Sequence, residues 1–434
     1  MEDWVRRAAR ERPGHLAVET AGGSVTYAEL DSAADRTARR LAALGVRAGD
    51  RVATTLPPST AFAELLHALP RLGAALVPVN LRLPADQQRR HVELSGSMFT
   101  VRGPLDGLEA DVTPSAELDP AGVHSVLFTS GTSGEPKPVT LTVANQEAAA
   151  AASAGALGSD PADRWLCPLP LFHIGGLAIL VRSARAGTTA VLQERFTSRS
   201  AIDAFAHGGI TLASLVPTML ARLRDSGLQT APSLRALLLG GGPIPPDLLD
   251  WARELGLPVR CTYGMTETCS QVVVTEPWEP AGRPGAGAEV TIGAGGEILV
   301  RGPMVAPGTA GEGGWLHTGD VGRIDRHGRL HVQGRMKDLI VTGGENVWPP
   351  AVEAVLLAHP AIADAAVAGL PSPEWGEEVT AFVVEAHPVS DYELLSFCRE
   401  YLAGYQVPKR VERVHRLPRN DAGKLLRAQL VPSQ

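Results

Sequence analysis

The sequence predicts an α/β protein in two parts. A large N-terminal domain of parallel-sheet αβ layers plus a small β unit is expected over residues 1–334. A small α+β C-terminal domain follows over 338–434, with a hinge at 335–337. Three observations carry this. Strand-like and helix-like segments alternate through the first 255 residues, as a parallel sheet with crossover helices requires. From about 288 to 334 the chain turns to short strand-like pieces between glycine-rich turns, which points to antiparallel pairing. From about 338 a further stretch of roughly a hundred residues is long enough for a domain of its own.

The elements follow in order. Thr26 caps a helix running to about Leu41, and Glu29 three residues on completes a capping box. Arg51–Leu56 reads as a short strand after a Gly-Asp turn. Ala61–Leu69 reads as a helix stopped by Pro70, and Ala75–Val79 as the next strand. The alanine-rich run 148–157 reads as a helix. Alternation resumes with strands at 163–169, 188–192, 211–216 and 234–239, and helices at 175–186, 199–206, 217–225 and 246–255. Strands at 288–292, 296–301 and 328–334 build the β unit. The last part reads strand, helix 351–358, strands 362–368 and 379–385, helix 391–402 and a basic tail. The boundary near 335–338 has no long linker, so it is a hinge and not a tether.

Composition narrows the class. With 434 residues, 44% hydrophobic and 20% charged, the chain has ample material for packed cores, which excludes wholesale disorder. A net charge of −7 disfavours general nucleic-acid binding and adhesion to acidic membranes. The four cysteines, at 167, 261, 269 and 398, match neither a zinc spacing nor a disulfide framework, so a reducing, cytoplasmic setting is expected. No apolar run approaches the roughly 20 residues of a membrane span. Only four of the 40 basic residues are lysines, at 137, 337, 409 and 424. Arginine serves almost everywhere a generic positive charge would do. The few lysines therefore mark places where a compact charge on a flexible stem is needed.

One of them closes the segment Phe128-Thr-Ser-Gly-Thr-Ser-Gly-Glu-Pro-Lys137, which follows the apolar run Val123–Phe128. Small residues let backbone N–H groups approach a phosphate, hydroxyls add donors and lysine adds charge. The spacing is not that of a Walker A loop. The segment resembles the phosphate loop of the adenylate-forming superfamily: acyl-CoA synthetases, luciferases and peptide-synthetase adenylation domains. Further motifs stand in that superfamily's order: Leu239-Gly-Gly-Gly-Pro243, Thr262-Tyr-Gly-Met-Thr-Glu267-Thr, Trp315-Leu-His-Thr-Gly-Asp320, Gly334-Arg-Met-Lys337-Asp, Gly343-Gly-Glu-Asn-Val-Trp-Pro and Pro418-Arg-Asn-Asp-Ala-Gly-Lys424-Leu-Leu-Arg. The resemblance spans essentially the whole chain, and three of the four lysines lie inside motifs.

The resemblance implies two steps on one site: a carboxylate and ATP form an acyl-adenylate, and CoA then takes the acyl group. It implies ATP, Mg²⁺ and CoA as reactants and cofactor, with a small carboxylic acid as partner, and leaves a homodimer open. It assigns Lys424, Glu267 and Thr132 to catalysis, with Glu267 as the metal ligand. Thr129, Ser130, Gly131, Thr132, Ser133, Gly134 and Lys137 would hold phosphates. Gly241, Gly242, Pro243, Tyr263, Gly264 and Thr266 would lie along the adenine, and Asp320 and Arg335 at the ribose. His173, Gly240, Gly264, Met265 and Ser270 would line the acyl pocket, with Gln271 beside them. Lys337 would be the pivot about which a mobile C-terminal domain turns, with Gly343, Gly344 and Glu345 in a second, flexible loop facing CoA. The chain departs from the pattern at Glu135 and Pro138, where Lys and Gly are usual, and at Val143 before Asn145. The pieces Phe172-His173-Ile-Gly-Gly-Leu and Gly264-Met-Thr-Glu-Thr-Cys-Ser-Gln271 are most similar to the ortho-succinylbenzoate–CoA ligases of menaquinone synthesis. A ligase for another aryl or medium-chain acid, a carrier-loading adenylation enzyme and a non-catalytic nucleotide-binding homologue stay open at this point.

Overall fold

The structure is a computed structural model that describes residues 1–130, 136–419 and 425–430. The N-terminal domain holds two sheets in which parallel strands dominate. The larger has nine strands, in the order Arg283–Pro284, Ser270–Val274, Val259–Met265, Ala236–Leu239, Leu212–Leu215, Arg164–Cys167, Thr189–Leu192, Leu16–Thr20, Gly23–Thr26. Its six central strands run parallel, and antiparallel strands finish each edge. The second sheet orders Phe99–Val101, Arg51–Thr54, Ala75–Pro78, Val123–Ser130 and Pro136–Thr142, with only the last strand antiparallel. The central strands are near-continuous runs of Leu, Val and Ala because helices cover both faces, as parallel sheets demand.

The remaining sheets match the expected change of character. Four antiparallel strands, Glu289–Ile292, Glu297–Arg301, Leu316–Ile324 and Leu330–Arg335, form the β unit. The C-terminal domain pairs Ile340–Thr342, Glu345–Val347, Ile362–Ser372, Gly376–Glu385 and Arg410–Arg413 in one sheet, with helices Pro349–Leu357 and Asp391–Tyr401. Val352, Leu356, Val367, Val383 and Leu394 make its separate core.

Local signals explain several boundaries. Thr26 and Glu29 form the expected capping box, with the Thr26 N–H donating to the Glu29 carboxylate at 2.7 Å. A second box, Thr142 with Asn145, starts helix Val143–Leu157. The Asn145 amide also donates to the Pro303 and Val305 carbonyls at 2.8 and 3.0 Å. It thereby latches this helix to the loop inside the β unit, between Glu297–Arg301 and Leu316–Ile324.

Two expectations are corrected. Pro70 does not stop its helix, which runs Thr60–Arg71. The last turn keeps helical form because buried Arg71 must reach Asp3, Asp31 and Asp35, at 3.0, 2.6 and 2.7 Å. An unpaired arginine there would cost several kcal/mol, on the order of the hydrogen bond that proline removes or more. The Gly343-Gly344 loop, read as flexible, is instead a two-residue turn joining Ile340–Thr342 to Glu345–Val347. Both glycines have positive φ, 58° and 84°, as a tight hairpin of this kind requires.

Buried histidines make the fold sensitive to acid. His67 and His124 lie in the N-terminal domain with their pKa values pushed down by burial to about 4 and about 3. The Asp3 carboxylate opposes the shift at His67, Arg71 adds to it, and His67 adds to the shift at His124. Neither ring nitrogen of His124 has a hydrogen-bond partner. Both rings stay neutral in the folded chain but take up protons below about 6.5 when unfolded. Stability is therefore full above pH 6.5 and falls as pH drops toward 4, by about 1.4 kcal/mol per pH unit for each ring. Urea midpoints measured from pH 7 to 5 should decline, and His124→Phe should flatten the decline. An unchanged slope in that variant would remove His124 from the account.

Candidate active site

Open α/β sheets bind ligands at the carboxyl ends of their parallel strands. Strand Ala236–Leu239 delivers Gly240, Gly241, Gly242 and Pro243 there, and strand Val259–Met265 delivers Tyr263, Gly264 and Met265. Two of these glycines are enforced by contact. A Cβ on Gly240 would stand 2.2 Å from Thr262 Oγ1, and one on Gly264 would stand 2.0 Å from the Ser270 carbonyl oxygen.

The β unit supplies the opposite wall. Asp320, buried on strand Leu316–Ile324, pairs across the sheet with Arg335, whose Nε is 2.9 Å from its Oδ1. The Tyr263 hydroxyl donates to Asp320 Oδ2 at 3.0 Å. Burial, with the Asp320 charge adding, pushes the phenol pKa far up, so Tyr263 stays a neutral donor. Three residues read separately, one expected at adenine and two at ribose, thus converge on one carboxylate.

The turn between Val259–Met265 and Ser270–Val274 is strained. Cys269 and Ser270 have positive φ, 52° and 92°, which L-residues adopt at a cost of order 1–3 kcal/mol each. Buried Thr268 holds the turn: its hydroxyl lies 3.0 Å from Met265 N–H, which donates to it, and 2.8 Å from the Ser270 carbonyl. Thr266, Glu267 and Thr268 form one 3₁₀ turn. The Glu267 carbonyl accepts from Ala306 N–H at 2.8 Å, while its carboxylate makes no hydrogen bond or ion pair among the described residues. Among the described residues no group of three metal-ligating side chains exists. A single open carboxylate suits Mg²⁺, which keeps waters and takes substrate phosphates as ligands.

The phosphate-loop expectation is framed but only partly described. Thr129 pairs with Lys137 and Ser130 with Pro136 across the strands that enter and leave the loop. Gly131, Thr132, Ser133, Gly134 and Glu135 lie outside the described residues, as does Lys424. Pro138 is on the edge strand Pro136–Thr142, outside the loop, where a missing N–H is tolerated. Val143 is a buried first-turn residue of its helix. Lys337 is exposed in the 3₁₀ turn Met336–Asp338, and Gly343, Gly344 and Glu345 are exposed in their hairpin. Trp375 packs on that hairpin, accepting from Gly343 N–H at 2.9 Å, with Lys409 Nζ 5.0 Å above its ring.

His173, expected at the acyl pocket, precedes helix Ile174–Ala186 as its N-cap residue, its ring tilted 4.7 Å from Phe172. Two turns on, the same helix carries a residue that the motifs do not include. Arg182 is 5% exposed, and its Nη1 reaches Gln271 Oε1 only at 3.4 Å. Its guanidinium carbon stands 5.5 Å from the Trp165 ring centroid, and among the described residues no carboxylate pairs with it. Among the same residues Nε and Nη2 have no hydrogen-bond partner. Burial pushes its pKa down to about 10, with the Cys269 thiol nearby. Gln271 also donates to Ser153 Oγ at 3.2 Å, so arginine, glutamine and serine form one polar spot in an apolar wall. A lone charge inside Ile-Leu-Val-Arg-Ser-Ala is the signal that could have found it.

The profile of the AMP-binding enzyme family matches residues 5–111 and 103–309, and that of the AMP-binding enzyme C-terminal domain matches 351–424. The chain belongs to the AMP-binding enzyme family. This AMP-binding enzyme is 38% identical over 471 residues to the 2-succinylbenzoate–CoA ligase of Bacillus subtilis, covering 99% of this chain and 97% of that one. It superposes on the solved o-succinylbenzoate CoA synthetase of Bacillus subtilis in complex with the acyl-adenylate intermediate OSB-AMP. The TM-score is 0.94 at 36% identity, over 100% of this chain and 99% of the other. The same synthetase in complex with ATP and magnesium ion matches with TM-score 0.93 at 36% identity, over 99% of each chain.

Proposed function

We propose that this AMP-binding enzyme is an AMP-forming acid–CoA ligase whose acid is 2-succinylbenzoate. A carboxylate oxygen of the acid attacks the α-phosphate of ATP and pyrophosphate leaves. The CoA sulfur then attacks the acyl carbon and AMP leaves. Asp320, with Arg335 and Tyr263 fixing its orientation, accepts from the ribose hydroxyls. Lys137 and the loop it closes hold phosphates, and Lys424 bridges the attacking carboxylate and the α-phosphate. Magnesium, held by Glu267, supplies charge to the triphosphate. The acyl pocket lies between helix Ile174–Ala186 and strand Ser270–Val274. Residues 1–334 and 338–434 act as two bodies about Lys337, so that one crevice serves both steps.

One observation carries the choice of acid: Arg182. A buried guanidinium without a carboxylate is costly in the empty protein, which favours a ligand that brings one. The named acid has two carboxylates. One reacts, and the other needs a countercharge deep in the pocket. The test compares 2-succinylbenzoate with its monocarboxylic analogues in ATP- and CoA-dependent thioester formation. The two-carboxylate acid should exceed each analogue by about 10²-fold in kcat/KM, roughly the worth of a buried charge pair. Equal rates would defeat the assignment.

The ribose assignment has its own test. Asp320→Asn should raise KM for ATP on the order of tenfold with a smaller change in kcat, because ribose contacts bind ground and transition states alike. 2′-Deoxy-ATP should lose less on the variant than on the parent. Equal losses would place Asp320 away from the sugar.

A further inference from the structure

Three residues past Lys424, Arg427 is held by more acid than its charge requires. Its two terminal nitrogens engage both carboxylate oxygens of Glu353, the second at 3.0 Å. It also donates to the Val367 carbonyl, while Glu353 accepts from Val367 N–H at 2.8 Å. That pairing already neutralises the guanidinium and ties helix Pro349–Leu357 to strand Ile362–Ser372. The remaining nitrogen, Nε, lies 3.3 Å from Asp338 Oδ2. Asp338 ends the 3₁₀ turn Met336–Asp338 and directly follows Lys337. All three side chains are largely shielded, at 15%, 7% and 23% exposure for Arg427, Glu353 and Asp338. Both partners push the arginine pKa upward against its burial.

The chain on either side of residues 420–424 is pinned as well. Leu426 N–H donates to the Pro418 carbonyl at 2.9 Å, Arg419 and Leu425 form a β-bridge, and Arg419 donates to Asp364 at 2.8 Å. These three contacts stay within the C-terminal domain away from residues 335–338, whereas Arg427 reaches Asp338.

We propose that the Arg427–Asp338 pair is a positioning strut for the first half-reaction. It ties the residue leaving the hinge to Arg427, three positions past Lys424, so that motion about the pivot is passed to the described chain that follows the lysine. The inference rests on the assignment of Lys424 to adenylate formation. Arg427 and Asp338 act through that lysine and touch no reactant.

The experiment measures the half-reactions separately on the full chain: pyrophosphate release from acid plus ATP, and thioester formation from preformed acyl-adenylate plus CoA. Asp338→Asn removes the charge from the hinge contact, leaving at most a weaker neutral hydrogen bond, and keeps the Glu353 pair intact. It should lower kcat for pyrophosphate release about tenfold, with KM for ATP and acid within about twofold, and leave the second half-reaction within about twofold. Arg427→Lys, which cannot span both carboxylates, should show the same split. An equal fall in both half-reactions, or no fall in either, overturns the strut and leaves a merely structural clamp. Lys424→Ala runs beside them. If it forms adenylate normally, the assignment of that lysine fails and the strut with it. If it fails while Asp338→Asn is normal, the strut alone is wrong.

Discussion

Arg182→Met should lower kcat/KM for 2-succinylbenzoate by about 10²–10³-fold while leaving the empty protein as stable as the parent or more so. The two effects have opposite signs for one reason. Without the acid the guanidinium is a buried charge whose one hydrogen bond among the described residues is the weak one to Gln271. Replacing it by an apolar side chain of similar length removes a desolvation cost, and such exchanges are often stabilising by about 1–4 kcal/mol. With the acid bound, the same replacement leaves a carboxylate buried without its partner, which costs about 2–5 kcal/mol. Monocarboxylic analogues bring no second charge and should react with the variant as well as, or better than, with the parent. The measurements are a urea midpoint and kcat/KM for the diacid and the analogues. A uniform loss across all acids, with a lower midpoint, would show that Arg182 only supports the wall formed with Trp165.

Lys424→Ala should reduce pyrophosphate release by about 10²–10³-fold, the usual cost of removing a transition-state charge contact. Thioester formation from preformed adenylate should change little, since the charge that develops at phosphorus is absent from that step. The far-ultraviolet spectrum and unfolding midpoint should match the parent. Unchanged pyrophosphate release would remove Lys424 from the site. Lysine is suited to this task because a point charge on a flexible stem can reach two oxygens at once, where a planar guanidinium prefers one bidentate partner.

The two variants differ in how they could have been found. Lys424 was legible at once, because the sequence nearly avoids lysine and this one lies inside a motif. Arg182 was not. It is one of many arginines, and its meaning comes from what does not surround it. Its nearest polar neighbour is 89 residues away in sequence, and the absence of a carboxylate there is a fact of packing. Asp320 is intermediate. Its motif is local, but the hydroxyl that reaches it belongs to Tyr263, 57 residues earlier.

Of the fold, the sequence by itself determined the order and kind of the elements, the change to an antiparallel β unit and the small domain at the end. Those rest on periodicity, caps and turn residues, which act within a few positions of the chain. Helix Pro217–Asp225 and the Thr26 capping box were readable to the residue for this reason. It also determined the class of chemistry, since hydroxyls, glycines and lysine at fixed spacing fit a phosphate wherever the loop is placed. Only the tertiary structure decided that the parallel strands divide between two sheets, and that Pro70 stays inside a helix to serve the buried charges of Arg71. It alone turned Gly343-Gly344 into a tight hairpin, left Arg182 without a carboxylate partner among the described residues and tied Arg427 to Asp338 beside Lys337. Each of these depends on burial and on charges brought together from distant segments, where a group out of water is worth several kcal/mol and local preference less than one.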